Sequence, residues 1–217
     1  MSLKEYNNKR NFNSTAEPEG EIKKLASELI FVVQKHAASH LHYDFRLEMG
    51  GALKSWAIPK GPSMNPADKR LAIMVEDHPY NYKDFEGIIP TGNYGAGIVM
   101  VWDNGTYTLA DENGFDKVEN KLKSDLQKGH LSFILNGKKL KGEFALIKLK
   151  TKQENAWLLI KSKDQYAIDE DVLLQDKSVI SNMTLENIEK KKKKKSNFPQ
   201  GDLMKYDCSL CVLIRFF

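Results

Sequence analysis

Three histidines, an aspartate and an arginine fall within eleven residues, His36-Ala-Ala-Ser-His40-Leu-His42-Tyr43-Asp44-Phe45-Arg46. Read as a strand, 42–48 points His42, Asp44, Arg46 and Glu48 to one face and Tyr43, Phe45 and Leu47 to the other, because successive side chains alternate. The apolar set belongs in a core. The opposite face then presents an imidazole, a carboxylate and a guanidinium in succession, with Glu48 read as merely exposed. The same alternation at 70–78 predicts one face with Arg70, Ala72, Met74, Glu76 and His78, and another with Leu71, Ile73 and Val75. If the polar face lines the concave side of a curved sheet, His42, Asp44, Arg46, Arg70, Glu76 and His78 converge. His36 joins them from the end of the preceding strand.

Two histidines and a carboxylate form a mixed nitrogen and oxygen donor set. It suits a divalent first-row metal with open positions, such as manganese, better than a closed four-ligand zinc site. Arg46, Lys60 and Arg70 are the groups to hold a phosphate beside that metal, arginine through its bidentate fork. The metal would polarise a phosphoryl oxygen and help to generate a nucleophile from water. Against this, a single histidine on a strand is ordinarily structural, and Glu76 could serve only to orient a ligand or an arginine.

The elements that must position these groups are short β-type runs separated by turn residues: 31–36, 42–48, 52–58, 70–76, 97–103, 105–110, 131–136, 142–149 and 156–162. Asn104-Gly105 reads as a tight hairpin and Asn136-Gly137 as a second turn. One helix stands out at about 115–128, where Phe115, Val118, Leu122 and Leu126 share a face and Gly129 stops it. Residues 1–20 read as an irregular arm, and 21–30 as a short helix or an extended lead-in. Longer loops at 59–69 and 79–96 carry turn residues, Pro59, Gly61, Pro62 and Pro66 in the first and Pro79, Pro90, Gly92 and Gly95 in the second. Many short strands with one or two short helices predict a mainly β protein, a compact curved-sheet β-barrel with long active-site loops.

At 217 residues the chain suits one domain with tails, divided here as an arm (1–20), a barrel domain (21–165), a C-terminal extension (166–189) and a lysine-rich, disordered tail (190–217). The formal charge of +4 is misleading: without the six consecutive lysines Lys190–Lys195 it is −2. A nucleic-acid site must therefore be a local cluster of Arg and Lys rather than a generally basic surface. No apolar run approaches a membrane span and the N-terminus lacks a secretory signal, so a cytoplasmic protein is expected. Cys208 and Cys211 have no second Cys/His pair with them, and their C-x-x-C spacing reads as coincidence.

Phe31-Val-Val-Gln-Lys-His36 through Glu48 closely resembles the 3′-phosphoesterase domain of bacterial DNA ligase D. So do Ser55-Trp-Ala-Ile-Pro-Lys60-Gly-Pro-Ser, Lys69-Arg70-Leu-Ala, Val75-Glu-Asp-His78-Pro with Tyr82, Phe85-Glu-Gly-Ile-Ile-Pro90, Gly92-Asn-Tyr-Gly-Ala-Gly97 and Val101-Trp-Asp-Asn-Gly105. The resemblance covers about residues 5–165. It implies a β-barrel enzyme, dependent on manganese or a similar divalent first-row ion, that heals 3′ ends of DNA in non-homologous end joining. Such an enzyme removes a terminal ribonucleoside from a primer-template and then the 3′-phosphate, leaving a 3′-hydroxyl. It also implies His36, His42 and Asp44 as metal ligands, with Arg46 and His78 contacting the scissile phosphate. His78 is further implied in stabilising the transition state or leaving group. Lys60, Arg70 and Tyr82 would bind phosphate or complete the site, and Glu76 would support it. In the arm, Arg10 and Glu17 match the family's lead-in, but the acidic position after the arginine is Asn11. If that carboxylate serves mainly the phosphomonoesterase step, the two activities here are unequal.

The resemblance further implies ligase, polymerase and Ku-type end-binding partners. The lysine run suits a linker to a ligase module, although residues after Pro199 do not resemble a ligase start; a stand-alone enzyme and a truncated fragment are both compatible with that. Two other functions fit the residues. His42-x-Asp44 with His78 imitates the facial triad of a non-haem iron oxygenase. Basic residues with Tyr82, Tyr94, Trp56 and Trp102 could form a non-catalytic nucleic-acid module, although Trp56 and Trp102 lie within strand runs and read as core.

Overall fold

The computed structural model describes residues 3–22, 28–109 and 115–196. Nine strands follow one another: β1 (Ile30–Ala37), β2 (Leu41–Met49), β3 (Ala52–Ile58), β4 (Lys69–Pro79), β5 (Gly87–Ile89), β6 (Gly97–Thr108), β7 (His130–Gly137), β8 (Lys141–Lys148) and β9 (Ala156–Lys161). They run β1-β2-β3-β4-β9-β8-β7-β6, and β6 pairs back onto β1, so eight antiparallel strands close into a barrel. The short β5 adds to the outside of β6. The helices are α1 (Leu3–Asn8), α2 (Phe115–Lys128) and α3 (Leu185–Ser196).

The barrel interior is apolar and aromatic. One cluster takes Phe31 and Val33 from β1, Phe45 from β2, Trp56 from β3, Ala72 from β4, Leu159 from β9, Phe144 from β8, Phe133 from β7 and Trp102 from β6. A cluster fed by all eight strands can only lie inside, so side chains of the opposite parity face outward. On the far side, the outer residues of β7 meet water, and its burial alternates along the strand. On β2 seven consecutive residues, Tyr43 to Met49, are buried. A second layer therefore covers that outer face. It is made by α1 and the arm, a 3₁₀ turn at Tyr80–Asp84, and a small cluster of Tyr6, Val32, Leu53, Tyr82 and Val101. Polar groups between these layers must find partners there.

The helix at 115–128 is as expected, with Leu122 buried, Val118 and Leu126 against the core, and Gly129 ending it at φ 78°. Asn136-Gly137 does not itself turn: both residues belong to β7, and the β7–β8 hairpin turns at Lys138 and Lys139, where Gly137 N–H donates to the Leu140 carbonyl at 2.9 Å. Further expectations are corrected. Asn104-Gly105 is not a hairpin, because β6 runs straight through it. There a Cβ on Gly105 would lie 2.1 Å from the Asn136 carbonyl, so this glycine serves a close strand crossing. The arm begins with a helix, α1. Glu48 is fully buried instead of exposed, with Oε1 accepting from Gly51 N–H at 3.0 Å.

Another correction concerns the shared face of 70–78. Trp56 pairs with Met74, and Ala72 is in the interior, so this face of β4 points inward. The β3–β4 register then slips, with Ser55 opposite Val75 but Leu53 opposite His78. One extra residue on β4 makes a bulge and reverses the alternation. His78 thereby comes to the outer face, while Arg70 stays behind on the other. The polar face as a whole is the outside of the barrel rather than a concave lining.

Residues 166–189 pack back on the barrel: Trp102 Nε1 donates to the Gln175 carbonyl (2.7 Å), Val179 N–H donates to the Val101 carbonyl (3.0 Å), and Val172 and Ile188 join the core. The lysine run was read as part of a disordered tail, yet α3 carries its backbone as far as Ser196. The 23–27 part of the lead-in and Cys208 and Cys211 lie outside the described residues. No helix among the described residues is long and apolar enough to cross a membrane.

Candidate active site

β1 and β2 pair with His36 opposite His42, which sets the two imidazoles side by side with ring centres 4.7 Å apart. Asp44 lies two residues along β2 on the same face. Ligand atoms of His36, His42 and Asp44 all fall within 4.8 Å of one another, the group of described residues arranged to hold a metal. Their outer partners fix the tautomers. His36 Nε2 lies 2.9 Å from the Gly95 carbonyl, which can only accept, so Nε2–H donates and Nδ1 turns its lone pair inward. His42 Nδ1–H likewise donates to the His40 carbonyl at 2.9 Å, leaving the Nε2 lone pair. These two nitrogens face the Asp44 carboxylate at 3.6 and 3.8 Å, too long for hydrogen bonds. Lone pairs aimed at a carboxylate repel it unless a cation stands between them. The donor set therefore fits a divalent metal ion.

Arg46 completes this half of the site from below. It is 2% exposed and spends its fork on fixed partners: Nε on Gln34 Oε1 (2.9 Å), Nη1 on Ser55 Oγ (2.8 Å) and Nη2 on Asp44 Oδ2 (3.1 Å). Burial by itself would raise the Asp44 pKa. The Arg46 guanidinium beside it outweighs burial and holds the carboxyl well below the usual range. Asp44 is thus ionised and ready to ligate.

The other half is built on the arm. Arg10 is seated between two carboxylates, Nε on Glu17 Oε1 (2.8 Å) and Nη1 on Glu76 Oε1 (3.3 Å), with its guanidinium carbon 3.7 Å above the Tyr6 ring. Lys9 donates to the other Glu76 oxygen at 3.0 Å. Arg10 Nη2 also donates to His78 Nε2 at 3.3 Å, while His78 Nδ1 donates to the Glu76 carbonyl at 3.0 Å. Guanidinium can only donate, so Nε2 carries the lone pair and the ring is neutral. Burial, reinforced by the charges of Arg46 and Arg10, pushes the His78 pKa well below 6.5, in agreement with those partners. Tyr82 gives its hydroxyl to Glu17 Oε1 (3.0 Å) and lays its ring beside Arg46. Burial, then the Glu17 charge, raises its pKa well above 10.0, so it remains a neutral donor.

Arg10, His36, His42, Asp44, Arg46, Glu76, His78 and Tyr82 together line one cleft of about 180 Å³. Lys60 and Arg70 do not line it. With Tyr43 opposite Ile58 and Ala57 opposite Ile73, both sit at the barrel end beyond His42, and Arg70 pairs with Asp68 at 2.8 Å. Asn11 is exposed, and its Oδ1 accepts from Asn13 N–H at 3.1 Å. Sequence reasoning missed Gln34, Ser55, Lys9 and the Gly95 carbonyl. Gln34 has the parity of His36, and Ser55 lies opposite Arg46, so a register drawn from the β2–β3 hairpin would have found the latter. Nothing in the sequence places a backbone carbonyl 59 residues away on His36.

Residues 34–148 match the model of the DNA Ligase D 3′-phosphoesterase domain. A "Multifunctional non-homologous end joining protein LigD" of Pseudomonas aeruginosa is 49% identical over 190 residues, 84% of this chain and 22% of that protein. The protein of the same name in Mycolicibacterium smegmatis is 40% identical over 164 residues, 75% of this chain and 21% of its own length. The Mycobacterium bovis protein is 39% identical over 172 residues. The chain spans about a fifth of the length of these relatives. Its barrel, its motifs in order and its match over most of its length show that the chain belongs to the DNA ligase D 3′-phosphoesterase domain family.

Proposed function

We propose that this chain is a divalent-metal-dependent phosphoesterase that heals DNA 3′ ends, releasing a terminal 3′-ribonucleoside and then the 3′-phosphate to leave a 3′-hydroxyl. The observation that carries this is the pair of inward lone pairs on His36 and His42 facing an ionised Asp44, with Arg46 and Arg10 on the same cleft. The cleft's own charges largely cancel, since Lys9, Arg10 and Arg46 are paired with Glu17, Glu76 and Asp44. A phosphate dianion therefore needs a further cation beside it. His36, His42 and Asp44 would hold that ion, manganese being the first candidate for this donor set, and it would polarise the phosphoryl group and acidify a water.

The protein's groups supply the rest. Arg46 is held by three partners and presents a fixed charge to a phosphoryl oxygen. Arg10 can turn from Glu76 toward an incoming anion while Glu17 keeps hold of Nε. His78 orients Arg10 through its Nε2 lone pair, and a bound dianion favours a proton at that nitrogen. Its proximity to both arginines suits contact with the scissile phosphate. Glu76 and Tyr82 act as positioning residues, one for the arm and one for Glu17. Lys60 and Arg70, beyond His42, suit phosphates of the strand leading away from the cleft. An iron oxygenase centred on His42, Asp44 and His78 is disfavoured, because the His78 lone pair is taken by Arg10. The relatives' name speaks of non-homologous end joining; DNA primer-template 3′ ends as substrates, and ligase, polymerase and Ku-type proteins as partners, are what the family resemblance implies for this chain.

The test is a matrix of divalent ions against primer-templates ending in a ribonucleotide or a 3′-phosphate. Product with manganese and loss of product in chelator support the reading. No product with any divalent ion overturns it.

A further inference from the structure

We propose that Tyr94 is the stacking platform for a nucleobase flanking the phosphate in the cleft; this rests on the phosphoesterase reading above. Of the four aromatic residues suited to stacking, Trp56 and Trp102 are wholly buried in the core and Tyr82 is 2% exposed. Tyr94 is 48% exposed, yet it lines the same cleft as His36 and Asp44. A large aromatic open to water at the rim of a charged cleft costs unburied apolar surface, which a flat, aromatic ligand would cover.

Tyr94 is also held rather than loose. Its loop makes two successive turns, Asn93 N–H to the Pro90 carbonyl (3.2 Å) and Ala96 N–H to the Asn93 carbonyl (3.1 Å), with Gly92 and Gly95 at φ 91° and 74°. Asn93 Oδ1 accepts from Ser14 Oγ of the arm at 2.6 Å, and the Gly95 carbonyl receives the proton of His36. Lys9 Nζ and the Arg10 guanidinium carbon lie 4.8 and 5.5 Å from the ring centre. The ring is thus fixed between a metal-ligand partner and two cations, the surroundings a base beside a phosphate requires. A groove of about 640 Å³ lined by Thr91, Ala96 and Gly97 of the same loop shares Ala38 and Ile89 with the cleft, so the cleft opens into further space beside this loop.

The experiment places 2-aminopurine at the 3′-terminal or the penultimate position of a primer and reads its fluorescence with the full-length protein in EDTA. Wild type and Tyr94→Phe should quench one of the two probes, and Tyr94→Ala should not. With a divalent ion, Tyr94→Ala should lower kcat/KM about tenfold on the base-bearing primer, within the range for loss of one stacked base. It should have no effect on a primer abasic at the quenched position. Equal quenching by Tyr94→Ala, no quenching of either probe, or an equal fall on the abasic primer overturns the proposal. Quenching that depends on Tyr94 without turnover by wild type would instead keep the stacking site and remove the phosphoesterase reading.

Discussion

Arg10 Nη2 lies 3.3 Å from Nε2 of His78, so the guanidinium that seats the N-terminal arm rests on an imidazole that has to be neutral to receive it. Protonation of His78 would set two cations against each other. Its folded pKa is depressed below 6.5, so its contribution to stability is complete above that value and is lost as pH falls toward the folded pKa. Glu76 acts in the same direction at lower pH. Burial alone would raise its pKa, but its own backbone N–H, Lys9 and Arg10 bring it below 4.5. Urea unfolding in EDTA at a series of pH values should show stability falling from pH 6.5 to 4.5, and His78→Gln should flatten that slope. An unchanged slope in the variant would show that His78 is not the group responsible.

His42 separates metal binding from folding. Its side chain is 23% exposed and its ring lies outside the interior, so His42→Ala should leave thermal stability nearly unchanged. Manganese affinity, read by isothermal titration, should fall by more than about 100-fold, beyond the loss typical of an outer-shell partner. Turnover should fall with it. Retained metal affinity in the variant would remove His42 from the ligand set.

Glu17 tests whether the arm is part of the site. Its carboxylate accepts from Arg10 Nε, Tyr82 Oη and Thr15 Oγ1, all donors. In Glu17→Gln the amide oxygen can keep Arg10 and Tyr82 while the NH₂ turns to the Thr15 hydroxyl, which can also accept, so what is lost is the charge facing Arg10, at a cost of about 2 kcal/mol for a weakened charge-assisted bond. Hydrogen exchange should speed up in residues 3–20 while the barrel strands keep their protection. Manganese affinity should hold and phosphoester turnover should drop, because Arg10 loses its anchor. Unchanged exchange in the arm would mean that Arg10 is fixed by Glu76 alone.

How much of this was legible from sequence depends on where the strand period holds. β1 and β2 keep period two across His36, His42, Asp44 and Arg46, so alternation, with a short turn between the strands, was enough to bring these four residues to one face. On β4 the bulge between Val75 and His78 broke the period; His78 reached the site for a reason alternation does not contain, and Arg70 did not reach the cleft. Glu48 was misread because covering of the outer barrel face is a tertiary fact: at this end of β2 it is α2, far away in sequence, that packs on the strand and brings Glu119 near Glu48. Asn104-Gly105 was misread because glycine has two uses, turning and close approach, and local sequence does not distinguish them. Its neighbour Asn136 decides the matter here. Gly105→Ala should therefore destabilise the protein by about 2–4 kcal/mol, the range of a backbone clash rather than of a surface change. Denaturant unfolding would show it, and a change under 0.5 kcal/mol would mean that the strands yield.

Asn11 bears on the balance between the two chemical steps. The resemblance expects an acid there, next to Arg10; if that carboxylate serves mainly removal of the 3′-phosphate, the two steps are unequal in this chain. In this chain the Asn11 side chain faces water and uses Oδ1 to accept from Asn13 N–H. An aspartate keeps that acceptor, so Asn11→Asp should alter stability by no more than about 0.5 kcal/mol. The new charge adjoins the arginine that would meet the phosphate, where it can favour one protonation state of the departing phosphate over another. On a primer ending in a ribonucleotide, wild type should accumulate the 3′-phosphate intermediate. Asn11→Asp should carry more of it through to the 3′-hydroxyl, raising the ratio of second to first step. A time course resolving the three species on a denaturing gel reads both rates at once. If the ratio is the same in the two proteins, the missing carboxylate does not set the balance, and the unequal activities inferred from Asn11 fall with it.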